Sequence, residues 1–174
     1  MNTNTHSRTR YMITAALFAA LITVLIVYIF HIPIPTGGYI HLGDTMIFFA
    51  ACLLPTPYAI FAGSVGAGLA DLLTAPIWAL PTLIIKAIVV SMFTSKSEKF
   101  ICKRNIIALI ATLFVSPTLY SLAQCVMAKI WAAFVAQFPV AFVSIGASIL
   151  IFLVAASILD KMRFKEKISR YLNG

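Results

Sequence analysis

From residue 106 to residue 159 the chain carries one charged side chain, Lys129. An apolar tract of that length holds two helices of the ~20 residues needed to cross a hydrocarbon layer. It leaves few folds open. In lipid every backbone N–H and C=O must be satisfied within the protein, so a spanning chain is either helical or a closed barrel. A barrel would alternate apolar and polar residues over segments of ~10 residues, and these runs do not alternate. The composition agrees, with 61% hydrophobic and 10% charged residues and a mean hydropathy of +1.01, where a soluble domain has about 25% charge. The expected fold is an all-α integral membrane protein, one transmembrane domain over residues 1–174.

The placement of charge sets the expected topology. The net charge is +8, and all thirteen basic residues except Lys86 and Lys129 fall in three short segments. Arg8 and Arg10 precede the first apolar run. Lys96, Lys99, Lys103 and Arg104 lie mid-chain, and Lys161, Arg163, Lys165, Lys167 and Arg170 lie near the end. The positive-inside rule places all three on the cytoplasmic side. Six transmembrane helices, at roughly 11–30, 41–54, 58–73, 77–94, 106–133 and 138–160, satisfy every cluster with both termini cytoplasmic. Five or seven would leave one cluster outside. Anionic headgroups account for such basic flanks, so no nucleic-acid partner is expected. Cys52, Cys102 and Cys125 are scattered, with no CxxC, and read as unpaired. The segment MNTNTHSRTRYM has no small-residue cleavage site before the first span, which reads as a retained helix.

Several local signals refine this outline. Ala15, Ala16, Ala19 and Ala20 form two overlapping Ala-xxx-Ala pairs, a pattern that lets a second helix approach closely, inside the chain or outside it. Pro33 and Pro35 stop the first helix, and Gly37-Gly38 permit a sharp turn. Asp44 then falls where a helix N-cap belongs. Ala59, Gly63, Ala67 and Asp71 recur every four residues on one face of the third helix. Pro76 and Trp78 open the fourth, with Lys86 about two turns deeper. Tyr120, Gln124 and Lys129 fall in the outer half of the fifth. Pro117 is expected to kink that helix, Gln137 to mark the outer turn, and the sixth helix to start near Phe138-Pro139.

Polar chemistry is concentrated between residues 36 and 86. An ionisable residue within a span is costly and marks a functional site by default. GSVGAGLAD is glycine-rich but lacks the Lys-Ser/Thr of a phosphate loop and lies inside an apolar helix, so no nucleotide site is expected. His6, His31 and His41 have no metal-ligand spacing, and no metal site is expected. No GxSxG occurs. Asp44 reads either as a cap or as a ligand group, and His41 either as a solvated loop residue or as a ligand partner. Asp71 and Lys86 read either as an internal ion pair or as two sides of a binding site. Trp78 reads as an interfacial anchor or as a stacking face.

The order HLGDTMIFFAACLL, GSVGAGLADLL, PIWALPTLIIK resembles the S components of energy-coupling factor (ECF) vitamin transporters. Within that family it is most similar to the group assigned to hydroxymethylpyrimidine or pyridoxine-like compounds. The resemblance implies a substrate-binding subunit, not an enzyme. It would capture a small heteroaromatic vitamin at the outer face of the cell membrane. A transmembrane coupling protein and two ATPase subunits would drive uptake, with ATP used by those partners and no cofactor in this chain. It places the coupling-protein contact at Ala15, Ala16, Ala19 and Ala20. For a flat polar ring, Tyr39 and Trp78 would supply an aromatic face. Asp44 or Asp71 would accept from a ring amino or hydroxyl group, Lys86 and Gln124 would meet ring acceptors, and His41 and Tyr120 are the other expected substrate-binding residues. An S component for another vitamin, or a membrane enzyme or assembly factor, is the alternative.

Overall fold

The structure is a computed structural model that describes residues 3–29, 32–34 and 38–173, with side chains over 6–29 and 41–172. Helix α1 (Thr3–Val24) continues into a π-helical turn, Leu25–Ile29. A hairpin of β1 (Ile32–Ile34) and β2 (Gly38–Ile40) follows, antiparallel, with Pro33 opposite Tyr39. Then come α2 (Asp44–Leu53), α3 (Thr56–Ile60), a π-helical turn (Phe61–Val65) and α4 (Gly66–Thr74). A 3-10 turn (Pro76–Trp78) leads into α5 (Ala79–Ser91). The long helices α6 (Lys103–Ala128) and α7 (Ala132–Lys161) and a short α8 (Phe164–Asn173) complete the chain. Among the described residues the fold is therefore helical apart from one hairpin, which the all-helical expectation did not include. Proline cannot continue the helix there and is tolerated in a two-stranded ribbon that is all edge.

Residues 6–29, 103–128 and 132–161 form helices long and apolar enough to cross a membrane, and Asp44–Leu53 and Pro76–Ser91 are shorter apolar helices. Their outward faces are greasy. Leu17, Ile107, Leu150 and Val154 are each more than 60% exposed, a surface suited to lipid rather than water. Polar side chains meanwhile turn inward, Asn105, Thr112, Ser116, Ser121 and Ser148 being fully buried.

The π turn Phe61–Val65 serves packing. In a regular helix of 3.6 residues per turn, a four-residue spacing drifts by about 40° each step, so Ala59 and Asp71 would end on different sides. The wider π turn takes up the extra residue. Ala59, Gly63, Ala67 and Asp71 are all buried. At Gly66 the backbone of α4 lies directly against that of α1. A Cβ there would lie 2.7 Å from the carbonyl oxygen of Ala19 and 3.0 Å from its Cα. The Thr23 hydroxyl donates to the Gly66 carbonyl at 2.8 Å. Ala15 and Ala19 are buried in this internal contact, 1% and 6% exposed, whereas Ala16 and Ala20 stay exposed. The alanine run thus divides into two faces, and only Ala16 and Ala20 remain open to an outside partner.

The α6–α7 region corrects the expected position of the outer turn. Helix α6 is continuous from Lys103 to Ala128, with Pro117 inside it. Helix α7 begins at Ala132 and carries Pro139 inside it. The reversal is made by Lys129, in the left-handed conformation with φ 55°, which ends a helix and turns the chain. Gln137 accordingly lies within α7 and is buried.

On the opposite end, the segment between α5 and α6 is tied down by buried polar groups. The Asn105 amide donates to the carbonyls of Thr94 (3.2 Å) and Phe100 (2.9 Å), and its oxygen accepts the Thr94 N–H at 2.9 Å. The Asp160 carboxylate accepts the N–H groups of Phe100 and Ile101 at 2.8 and 2.9 Å. Helix α8, which had no counterpart in the expected six helices, folds back over this end. Lys165 and Leu172 are buried, Lys165 Nζ donates to the Lys99 carbonyl at 3.2 Å, and Arg10 donates to the Tyr171 carbonyl at 2.5 Å. Above it, Phe48, Phe49, Phe93, Phe100 and Phe152 pack ring to ring with centroids 4.8–5.8 Å apart.

Candidate functional site

Polar residues from several elements of the bundle converge on one cavity. The segment before α2 supplies His41, and α2 supplies Asp44. Helix α4 adds Ala67 and Asp71, the 3-10 turn adds Trp78, and α5 adds Thr82 and Lys86. Ser116 and Tyr120 come from α6, and Gln137, Ala141 and Ser144 from α7. Helical spacing explains the convergence. Trp78, Thr82 and Lys86 are four residues apart, as are Ser116 and Tyr120, so each set lines one stripe of its helix.

At the cavity floor Lys86 forms a salt bridge with Asp44, both at most 2% exposed. The partner of Lys86 is thus the residue 42 positions earlier, not Asp71. Asp44 opens α2 as its first residue, and the preceding cap position, Gly43, makes no side-chain cap bond. The Asp44 carboxylate is turned to the lysine instead. Burying two charges is offset only when they are paired closely, and here each compensates the other. Lys86 Nζ also lies 5.2 Å from the Tyr120 ring centroid, within cation–π range.

The walls are held by further pairs. The Thr82 and Tyr120 hydroxyls are hydrogen-bonded at 3.0 Å. Trp78 and Tyr120 meet with ring centroids 5.8 Å apart, tilted by 45°. Trp78 is 8% exposed, so its ring belongs to the interior rather than to an interfacial belt. Ser144 Oγ donates to the His41 carbonyl at 3.1 Å, and His41 Nδ1 accepts the Gly43 N–H at 3.2 Å. These bonds fix the loop over the cavity against α7.

Of the residues singled out in the sequence, His41, Asp44, Asp71, Trp78, Lys86 and Tyr120 line this cavity. Gln124 does not. One further turn along α6 than Tyr120, it lines a separate hollow with Ile130, Ala132, Ala133, Ala136 and Gln137. Tyr39 lies in β2, and its side chain falls outside those described. Thr82, Ser116, Gln137 and Ser144 were missed. A signal existed for two of them, since Thr82 and Ser116 each stand one turn from a residue already chosen. Among the described residues no cluster of metal-ligating side chains occurs.

Fold and site together define a multi-pass membrane protein whose helices enclose a small polar cavity with an aromatic wall. The chain belongs to the family described as ECF-type riboflavin transporter, S component, whose model matches residues 6–161. That is a family of transporter subunits rather than enzymes. A protein of Pyrococcus woesei, described as an uncharacterized protein in gap 3'region, is 38% identical over 86 residues. The match covers 47% of this chain and 56% of that relative, so the chain spans little over half of its length.

Proposed function

We propose that this protein is the substrate-binding subunit of an ECF-type importer, and that it captures a small, flat heteroaromatic vitamin or precursor in the Asp44–Lys86 cavity. The observation that carries the reading is the convergence of a buried ion pair and the Trp78–Tyr120 wall on one site in an otherwise apolar bundle. Small-ligand sites of this kind are mostly apolar, with a few placed polar groups that fix orientation. The wall offers a face for a ring, and Asp44, Asp71, Lys86 and His41 offer donors and acceptors around its edge. A single ring of the hydroxymethylpyrimidine or pyridoxine type is the preferred ligand. The proposed topology has six spans and both termini cytoplasmic, with the hairpin and cavity mouth outward. Uptake is driven by a separate coupling protein and two ATPase subunits, which use the ATP.

A second reading is favoured by the family description, which names riboflavin. A flavin presents three fused rings and a polar chain, where the preferred ligands present one ring. Purification without added vitamin, mass spectrometry of any co-purified small molecule, and calorimetric titration with hydroxymethylpyrimidine, pyridoxine and riboflavin decide between them. Tight binding of one single-ring compound is expected. Binding of riboflavin alone would overturn the single-ring reading, and binding of none would overturn vitamin capture at this cavity.

A further inference from the structure

Most polar groups facing the cavity are already committed to one another. Asp44 holds Lys86, Thr82 holds Tyr120, and Ser144 holds the His41 peptide. Asp71 is likewise engaged within the chain. Two exceptions line the same cavity from facing helices. Gln137 Oε1 on α7 and Ser116 Oγ on α6 are buried with no hydrogen-bond partner among the described residues. The side chains are 9% and 0% exposed. The other buried atoms of this kind, on Ser64, Thr112, Ser121 and Ser148, do not line it. A buried acceptor left unpaired is costly, and such groups in native proteins call for a specific explanation.

We infer that Gln137 and Ser116 are the specificity-determining pair of the site, and that they select a ring bearing an exocyclic amino group. The inference rests on the reading of the cavity as a vitamin site. An amide oxygen accepts and cannot donate, so the ligand group that meets Gln137 Oε1 must be a donor. An amino group on a heteroaromatic ring is a donor with two N–H bonds, its lone pair being delocalised into the ring. A serine hydroxyl both donates and accepts, so Ser116 can take the second N–H or donate to a ring nitrogen. Sites built to hydrogen-bond a substrate group discriminate strongly against the analogue lacking it, because the protein's own group is then left buried and unpaired. A ring hydroxyl has one hydrogen to donate where a ring amine has two, so an aminopyrimidine serves Gln137 Oε1 and Ser116 Oγ from one substituent, which a single hydroxyl of a pyridoxine-type ring cannot do.

The test is a cycle of calorimetric titrations on the full chain. The ligands are hydroxymethylpyrimidine, with its ring amine, and the deamino analogue with hydrogen in that place. Wild type is expected to prefer the aminated ring by roughly tenfold to a hundredfold, the range for one buried hydrogen bond. Gln137→Leu should bind both compounds alike, near the wild-type affinity for the deamino analogue. Gln137→Glu, which keeps an acceptor at the same reach, should restore the preference, and Ser116→Ala should reduce it. Equal wild-type affinity for the two compounds would overturn the inference while leaving vitamin capture intact, as would a preference that persists in Gln137→Leu. Failure of wild type to bind either compound would overturn the inference, and failure to bind pyridoxine and riboflavin as well would overturn vitamin capture. If Gln137→Leu does not fold, the wild-type comparison and Gln137→Glu still decide.

Discussion

The single residue with the largest consequence is Lys86. It is fully buried on the apolar helix α5 and held by one carboxylate, that of Asp44. Removing either partner leaves the other charge buried and alone, which costs about 3–5 kcal/mol, whereas replacing both removes the problem. Lys86→Met is therefore expected to lower the thermal midpoint in detergent more than the double variant Lys86→Met/Asp44→Asn. Additive losses, with the double variant the least stable, would show that the two groups do not depend on each other. Ligand titration on the double variant separates the roles, since loss of binding in a stable protein places the pair in the recognition of the ring.

At the level of elements, the alanine run of α1 has to be divided. The backbone of Ala19 lies against Gly66, where no side chain fits, and Ala19 itself is buried, while Ala16 and Ala20 face outward. Ala19→Leu is expected to destabilise the isolated subunit by about 1–3 kcal/mol, the range for overpacking a tight contact. Ala16→Leu and Ala20→Leu are expected to leave stability unchanged and to weaken assembly with a coupling partner, because added bulk blocks close helix approach. Thermal midpoints and co-purification read the two effects separately, and an Ala16→Leu/Ala20→Leu variant that still assembles would remove this face from the interface.

Helix α8 gives a pH-dependent counterpart. Burial lowers the pKa of Lys165 below that of an ordinary lysine. Between the lowered folded value and the ordinary one, the unfolded chain carries a proton that the folded protein has released, so stability rises with pH across that window. Lys165→Met is expected to flatten this rise between neutral pH and about pH 10.4, the ordinary lysine value. Denaturation midpoints for wild type and variant over that range would show it, and parallel profiles would assign the rise to other groups.

For the whole molecule, the proposed topology places the hairpin and the tied α5–α6 segment on opposite sides of the membrane. In a background lacking Cys52, Cys102 and Cys125, a membrane-impermeant thiol reagent is expected to label a cysteine at Gly38 from outside intact cells. A cysteine at Lys99 should react only after permeabilisation. Labelling at position 99 from outside would invert or redraw the six-span arrangement.

The sequence by itself determined the solvent for which this chain is built, because hydropathy and charge are additive along the chain. The apolar tracts and basic segments announce membrane helices before any contact is known. It also marked six of the fifteen residues that line the cavity, the ionisable ones because a charge is costly in a span. What only the tertiary structure decided is pairing. Asp44 lies at a position where a cap is ordinary, and nothing local indicates that its carboxylate turns to Lys86 on another helix. Pro139 reads as a helix start, yet the left-handed Lys129 moves the turn upstream and carries Gln137 into the cavity wall. The same holds for the alanines, whose division between Gly66 and the outside depends on which side of α1 another helix occupies. Periodicity specifies that a helix has faces, and only packing specifies what each face meets.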